Sequence, residues 1–277
     1  MTFWITQALN GISFGMLLFL LAAGLSLIYG LMRVLNLAHG SYYILGGYVG
    51  LAAMRATGSF VLATVAATAT VTLIGIVMER FFLRRFPEQE LPQALLTFGF
   101  LLIFADLSLW LWGGTPQTLP KPAMFERSIR IGAIVFPTYR LFVIGIGLVI
   151  GLGLWWLQEG TRLGAMIRAG VDDAEMARGT GVNVGLLSTA VFAFGAFLAG
   201  LGGIIGGPFV GVYPGADFEI LEMALVVVII GGLGSLKGAF VGGLVVGLFQ
   251  FGSMPHALAV KNIRLFGEKV LPALKRD

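Results

Sequence analysis

The chain has 277 residues, of which 57% are hydrophobic and only 12% charged. Counting glycine in and tyrosine out brings the apolar share to roughly 70%, against about 45–50% in soluble domains, and no soluble fold of this size has enough interior to hide it. The absence of cysteine excludes disulfides and thiolate metal sites, and the net charge of +4 reflects basic loops that report topology rather than nucleic acid.

Crossing about 30 Å of hydrocarbon takes about 20 apolar residues. That length predicts spans near 8–31, 40–56, 59–79, 93–112, 140–157, 185–206, 219–236 and 238–254. The first 32 residues carry no Asp, Glu, Lys or Arg. Met1 to Met32 therefore reads as a retained span rather than a leader, which would open on basic residues. The apolar runs do not alternate in ten-residue segments as barrel strands do. The expected fold class is an all-α integral membrane protein, a polytopic helix bundle of about eight transmembrane helices, with re-entrant segments allowed for.

After the first span the chain reads GLMRVLNLAHGSYYILGGYVG. Arg33, Asn36, His39, Gly40 and Ser41 fall here between apolar runs, where polar groups need a packed junction, an interface or a pathway. Asn36 and Ser41 suit a helix break, and His39 suits helix packing better than cargo contact. Further along, Asp106 falls mid-span, so it is expected to face protein or water. Glu79, Glu219 and Glu222 fall near span ends and are placed at the headgroups.

Two polar segments interrupt the pattern. Residues 115–138 contain four prolines and the stretch SIRIGAIVF, which predicts a small hairpin around Gly132-Ala133. Residues 159–178 carry seven charges, and 179–216 carry none. In this loop Met166, Ala169, Ala174 and Ala177 give a short helix a small, weakly apolar face, suited either to a partner protein or to a solvated connector.

Lys and Arg in short loops set orientation. With the N-terminus outside, Arg33, Arg80, Arg84, Arg85, Arg162, Arg168, Arg178 and Lys237 fall inside, against Arg55, Lys121, Arg127, Arg130 and Arg140 outside. The basic tail falls outside if eight spans cross, which makes one of them a re-entrant candidate. Glycines spaced three or four apart in GAFLAGLGGIIGG and GAFVGGLVVG let helix backbones approach closely in lipid.

No catalytic constellation is present in the sequence. His39 and His256 lie far apart without ligand spacing, GxGxxG does not occur, and Gly231 to Gly234 lacks the GK[ST] of a phosphate-binding loop. Function then lies in moving a solute or binding a partner.

The stretch TRLGAMIRAGVDDAEMARGTGVN resembles the cytoplasmic coupling loop of permeases from bacterial ATP-driven (ABC) importers. LNLAHGSYYILGGY and IIGGLGSLKGAFVGGLVVG resemble, in the right order, the two signatures of the branched-chain amino acid permease family of the LivH type. The resemblance implies a transmembrane permease domain over 1–258, with a coupling loop at 159–184 in which Arg162, Gly164, Arg168, Ala169, Asp173, Ala177 and Gly181 dock on an ATPase. It implies junction or pathway roles for Asn36, His39, Gly40 and Ser41, beside the Asp106 read above. It also implies helix-packing roles for Gly231, Gly232, Gly234, Ser235, Gly238 and Gly243.

The implied partners are cytoplasmic ATPase subunits, a second permease and a periplasmic or external binding protein, in a bacterial inner membrane. Membrane lipid surrounds the chain, and neither cofactor nor nucleic acid is implied. An ATP-independent transporter or channel for small polar solutes is the alternative. The segment 259–277 replaces the family's usual last apolar helix and reads as an amphipathic or altered tail.

Overall fold

The computed structural model describes residues 2–87, 89–131, 134–249, 264 and 268. The tail expected over 259–277, the turn at Gly132-Ala133 and the end of the last expected span lie outside these, apart from the two isolated tail positions. Among the described residues ten α-helices run α1 (Thr2–Met32), α2 (His39–Thr57), α3 (Phe60–Phe81), α4 (Glu90–Trp112), α5 (Thr138–Gly160), α6 (Arg162–Asp172), α7 (Ala174–Gly179), α8 (Val184–Val210), α9 (Ala216–Gly231) and α10 (Leu236–Phe249). Between α4 and α5, β1 (Ser128–Ile131) and β2 (Ile134–Pro137) pair antiparallel, with Ile131 opposite Ile134. The antiparallel pairing agrees with the small hairpin that the sequence predicts.

The apolar runs form helices because the backbone's polar groups have no other partners in hydrocarbon. Five of the helices, α1, α3, α4, α5 and α8, are long and apolar enough to cross a membrane. Most of α1 is buried, whereas α3, α4 and α5 bury less than a third of theirs. α1 is thus the central post, packed against α8, α9 and α10, while α8 also bears α2 and α3. Tyr42, Tyr43, Phe192 and Tyr139 are wholly buried in the main core.

The expected count of eight spans is not reached by length and composition. α9 has 16 residues, about 24 Å at about 1.5 Å per residue, and falls short of the hydrocarbon thickness, while α10 is described over 14 residues. They bend by 119° at the break between them, so the pair counts at most as one broken span or re-entrant loop. α2 has 19 residues but carries His39, Ser41 and three tyrosines, all buried by other helices.

The entry into α2 shows how this happens. Arg33 ends α1 in the left-handed region, at φ 53, with its N–H donating to the Tyr29 carbonyl at 2.8 Å. The chain then runs without helix to Ala38. His39 Nε2 lies 3.0 Å from the Leu21 carbonyl oxygen, and Leu21 stands about 16 Å above the end of α1. α2 therefore begins inside the bundle. Non-helical backbone at that depth is tolerated because protein surrounds it: Leu37 N–H donates to Thr97 Oγ1 at 3.1 Å.

Candidate functional site

Two places concentrate the polar residues, and they lie at different depths. The first is the junction where α2 and α9 start. Gly40 packs so closely on α9 that a Cβ there would collide with the Asp217 carbonyl oxygen. Ser41 Oγ donates to the Leu101 carbonyl at 3.3 Å, which holds α4. Asn36 is fully buried beside Tyr42, whose hydroxyl reaches Met78 Sδ at 3.1 Å. The structure thus brings Asn36, His39, Gly40 and Ser41 together as neighbours of helix ends.

Asp106 is not among them. It lies exposed on α4 between Leu102, Ile103, Leu109 and Trp110, all exposed apolar neighbours on the same face. Within this single chain α4 turns that side outward. Asp217 is the acid that the sequence reading overlooked. It is 1% exposed at the second position of α9, and nothing in its local pattern separates it from Glu219 and Glu222, which are exposed. In the loop before α9, Tyr213 donates to Glu219 Oε2 at 2.6 Å, and this bond with partial burial pushes the Tyr213 phenol up to about 12.

The second place is the face carrying α6 and α7. Thr161 caps α6 by accepting from Gly164 N–H at 3.1 Å, and Asp173 caps α7 by accepting from Met176 N–H at 2.9 Å. The single expected helix is thereby two helices, broken at Asp173, whose backbone is extended. Arg162, Arg168, Ala169, Asp173 and Gly181 are exposed.

Gly164 and Ala177 are buried and point inward. A side chain on Gly164 would strike the Leu157 and Gln158 carbonyls, so that glycine seats α6 on the end of α5. For these two residues the docking expectation is corrected to packing. What the sequence reading missed is apolar: Leu163 and Met176 stand 47% and 67% exposed among the charges. Their signal was hydrophobicity at polar-loop positions, hidden by a chain that is greasy throughout.

A buried polar clamp backs this face. Glu79, at the end of α3, is 1% exposed. Arg84 Nε meets its Oε1 at 3.0 Å, and Arg84 Nη2 donates to Thr189 Oγ1 at 2.6 Å and also to the Gly185 carbonyl. The headgroup placement expected for Glu79 is corrected: charge pairing holds it inside, between α3 and α8.

The glycine positions divide by cause. A Cβ on Gly231 would collide with Gly238, and one on Gly243 would lie 2.8 Å from the Gly15 carbonyl oxygen. Gly234 abuts Gly30, and Ser235 Oγ accepts from Gly238 N–H at 3.0 Å. Gly232 faces open space, and the packing role expected of it is corrected to a conformational one, at φ 90. Among the described residues no group of three metal-ligating side chains occurs.

Residues 7–262 match the family model described as the permease component of a branched-chain amino acid transport system. The chain is 28% identical to the high-affinity branched-chain amino acid transport system permease protein BraD of Pseudomonas aeruginosa over 99% of its length and 94% of BraD. It is 27% identical to LivH of Escherichia coli K12, named for the same system, over 90% of its length and 85% of that protein. It is 26% identical to a probable LivH permease of Methanocaldococcus jannaschii, over 87% and 78%. No solved structure matches the chain.

Proposed function

The chain belongs to the branched-chain amino acid transport permease family, and from that premise we propose that it is the membrane-spanning subunit of an ATP-driven importer of branched-chain or related amino acids. ATP hydrolysis then belongs to separate cytoplasmic subunits, and an external binding protein delivers the amino acid to two permeases in a bacterial inner membrane. Substrate crosses where the permeases meet.

The observation that carries this reading is the outward face of α6 and α7. Charged residues there surround Leu163 and Met176, which stand 47% and 67% exposed among the described residues. Apolar side chains ringed by charge form the usual anatomy of a protein-docking patch. A push on α7 passes directly into α8, and the Glu79–Arg84–Thr189 clamp shares it with α3. α8 packs on α1 and α2, so the load reaches the junction at His39 and Gly40.

Reconstitution tests the proposal. Vesicles holding this chain with its companion permease, ATPases and binding protein should accumulate L-leucine only with ATP. Accumulation by this chain alone under an ion gradient would refute the reading in favour of an ATP-independent transporter.

A further inference from the structure

A cleft of about 330 Å³ separates α6 from the bundle, within the range of about 300–1,000 Å³ typical of small-molecule pockets. Four pieces form its walls: the last turns of α1, the inner side of α6, the turn between α9 and α10, and Gln158 near the end of α5. Its chemistry is unusual for the edge of a membrane bundle. Arg33 lines it from the end of α1 and Arg168 from α6, and Asp172 joins them from the end of α6. Arg168 and Asp172 are spaced to pair along the helix, yet neither they nor Arg33 make any ion pair or side-chain hydrogen bond among the described residues. Ser26, wholly buried on the same wall, has a hydroxyl without a partner among the described residues. Arg33 is the sole described non-glycine residue with positive φ, and such strained backbone concentrates at ligand clamps. Between the charges the lining is aliphatic, from Leu27, Ile167, Val171 and Leu233.

We infer that this cleft binds a zwitterionic aliphatic amino acid on the inner face, so that imported product holds α6 against the bundle and slows further import. The inference rests on the importer reading above. The two guanidiniums take the carboxylate, Asp172 takes the ammonium, and the aliphatic wall takes the side chain. An inorganic anion satisfies only the first of these, so Asp172 would then repel what the arginines attract. A ligand that bridges α6 to α1 and the α9–α10 turn favours the position in which α6 stands here. Any ATPase-driven displacement of α6 must break that bridge, and linkage then makes bound product oppose the displacement.

The test is titration of the full-length chain in nanodiscs with L-leucine, without binding protein or ATPase. Leucine is expected to bind, and Arg33→Gly and Asp172→Asn should each weaken it at least about tenfold, with melting temperatures confirming that both variants fold. Glycine suits the left-handed backbone at position 33, so Arg33→Gly removes the charge without adding strain. 4-Methylpentanoate, which lacks the ammonium, and inorganic phosphate should bind more weakly than leucine. In the complete importer, vesicles preloaded with leucine on the α6 side should take it up more slowly than empty ones, and Arg33→Gly should remove that difference. No leucine binding, unchanged affinity in both variants, phosphate binding as tight as leucine, or equal uptake by loaded and empty wild-type vesicles would each overturn the inference. Failure of ATP-dependent uptake in empty vesicles would count against the importer reading instead, leaving the titration to decide the cleft.

Discussion

Thr189 Oγ1 donates to Glu79 Oε2 at 2.7 Å, joining α8 to α3 across 110 residues of sequence. The carboxylate is buried, and Arg84 closes the network from the side nearer solvent. A buried carboxylate survives only if charge and hydrogen bonds replace its lost water.

Arg84→Ala should therefore destabilise the chain strongly. Breaking a buried pair costs about 3–5 kcal/mol, and the 39% exposure of the Arg84 side chain places the loss at the lower end, since water replaces part of the guanidinium. Thr189→Val, which removes a donor to the buried carboxylate and an acceptor for Arg84, should cost about 1.5–3 kcal/mol. Thermal melting in mild detergent reads both, and wild-type melting of Arg84→Ala would disprove the clamp.

The glycines give a second ordering. Gly40→Ala drives a Cβ into the Asp217 carbonyl and separates the starts of α2 and α9, an overpacking cost of about 1–3 kcal/mol. Gly243→Leu forces α10 off α1 and should cost more, since the backbone of Gly15 cannot retreat. Gly232→Ala meets no atom, but its positive φ still costs about 1–2 kcal/mol. Helix–helix crosslinking distinguishes the cases: yields between α1 and α10 should fall in Gly243→Leu and hold in Gly232→Ala. Equal yields would refute the assigned causes.

Much of this architecture was legible from hydropathy, because α1, α3, α4, α5 and α8 are long and uniformly apolar. α2 read as one more span because its tyrosines and His39 do not announce that other helices bury them. The GGLG turn read as packing, since sequence shows spacing but not the positive φ at Gly232 and Gly234 that bends α9 away from α10. Glu79 looked like a headgroup residue because its partner Thr189 is far away in sequence. Asp217 carried no local mark at all: the helix that lies against its backbone, α2 at Gly40, is far away in sequence.

Asp106 supplies a third expectation. A charge at the bilayer centre costs about 2.5–3.5 kcal/mol on the insertion scale, and in the isolated chain its neighbours on α4 are exposed leucines, isoleucine and tryptophan. Asp106→Leu should leave the melting of the isolated chain within about 0.5 kcal/mol of wild type or raise it. Recovery of the two-permease assembly and uptake should both fall, because the α4 face then lacks the group that a second permease or the water between permeases would satisfy. Normal assembly and uptake would show that lipid headgroups or their water accommodate the carboxylate.

The coupling face gives the most discriminating prediction, because the structure separates residues that hold the face together from residues that it presents. Asp173 caps α7 through Met176 N–H, so Asp173→Ala should cost about 1 kcal/mol of local stability. Asp173→Asn keeps an acceptor and should behave nearly as wild type. Met176 is 67% exposed and holds nothing in place, so Met176→Glu should leave melting and membrane insertion unchanged. If an ATPase covers it, however, the substitution loses about 1.5–3 kcal/mol of apolar burial and also buries a carboxylate. Co-purification of the ATPase should then fall by more than about tenfold, and ATP-driven uptake should fall with it. Met124→Glu is the matched control: Met124 is 74% exposed but lies in the loop between α4 and α5, away from α6 and α7, and should change neither. Full ATPase recovery with Met176→Glu at equal expression would mean that α6 and α7 form a solvated connector.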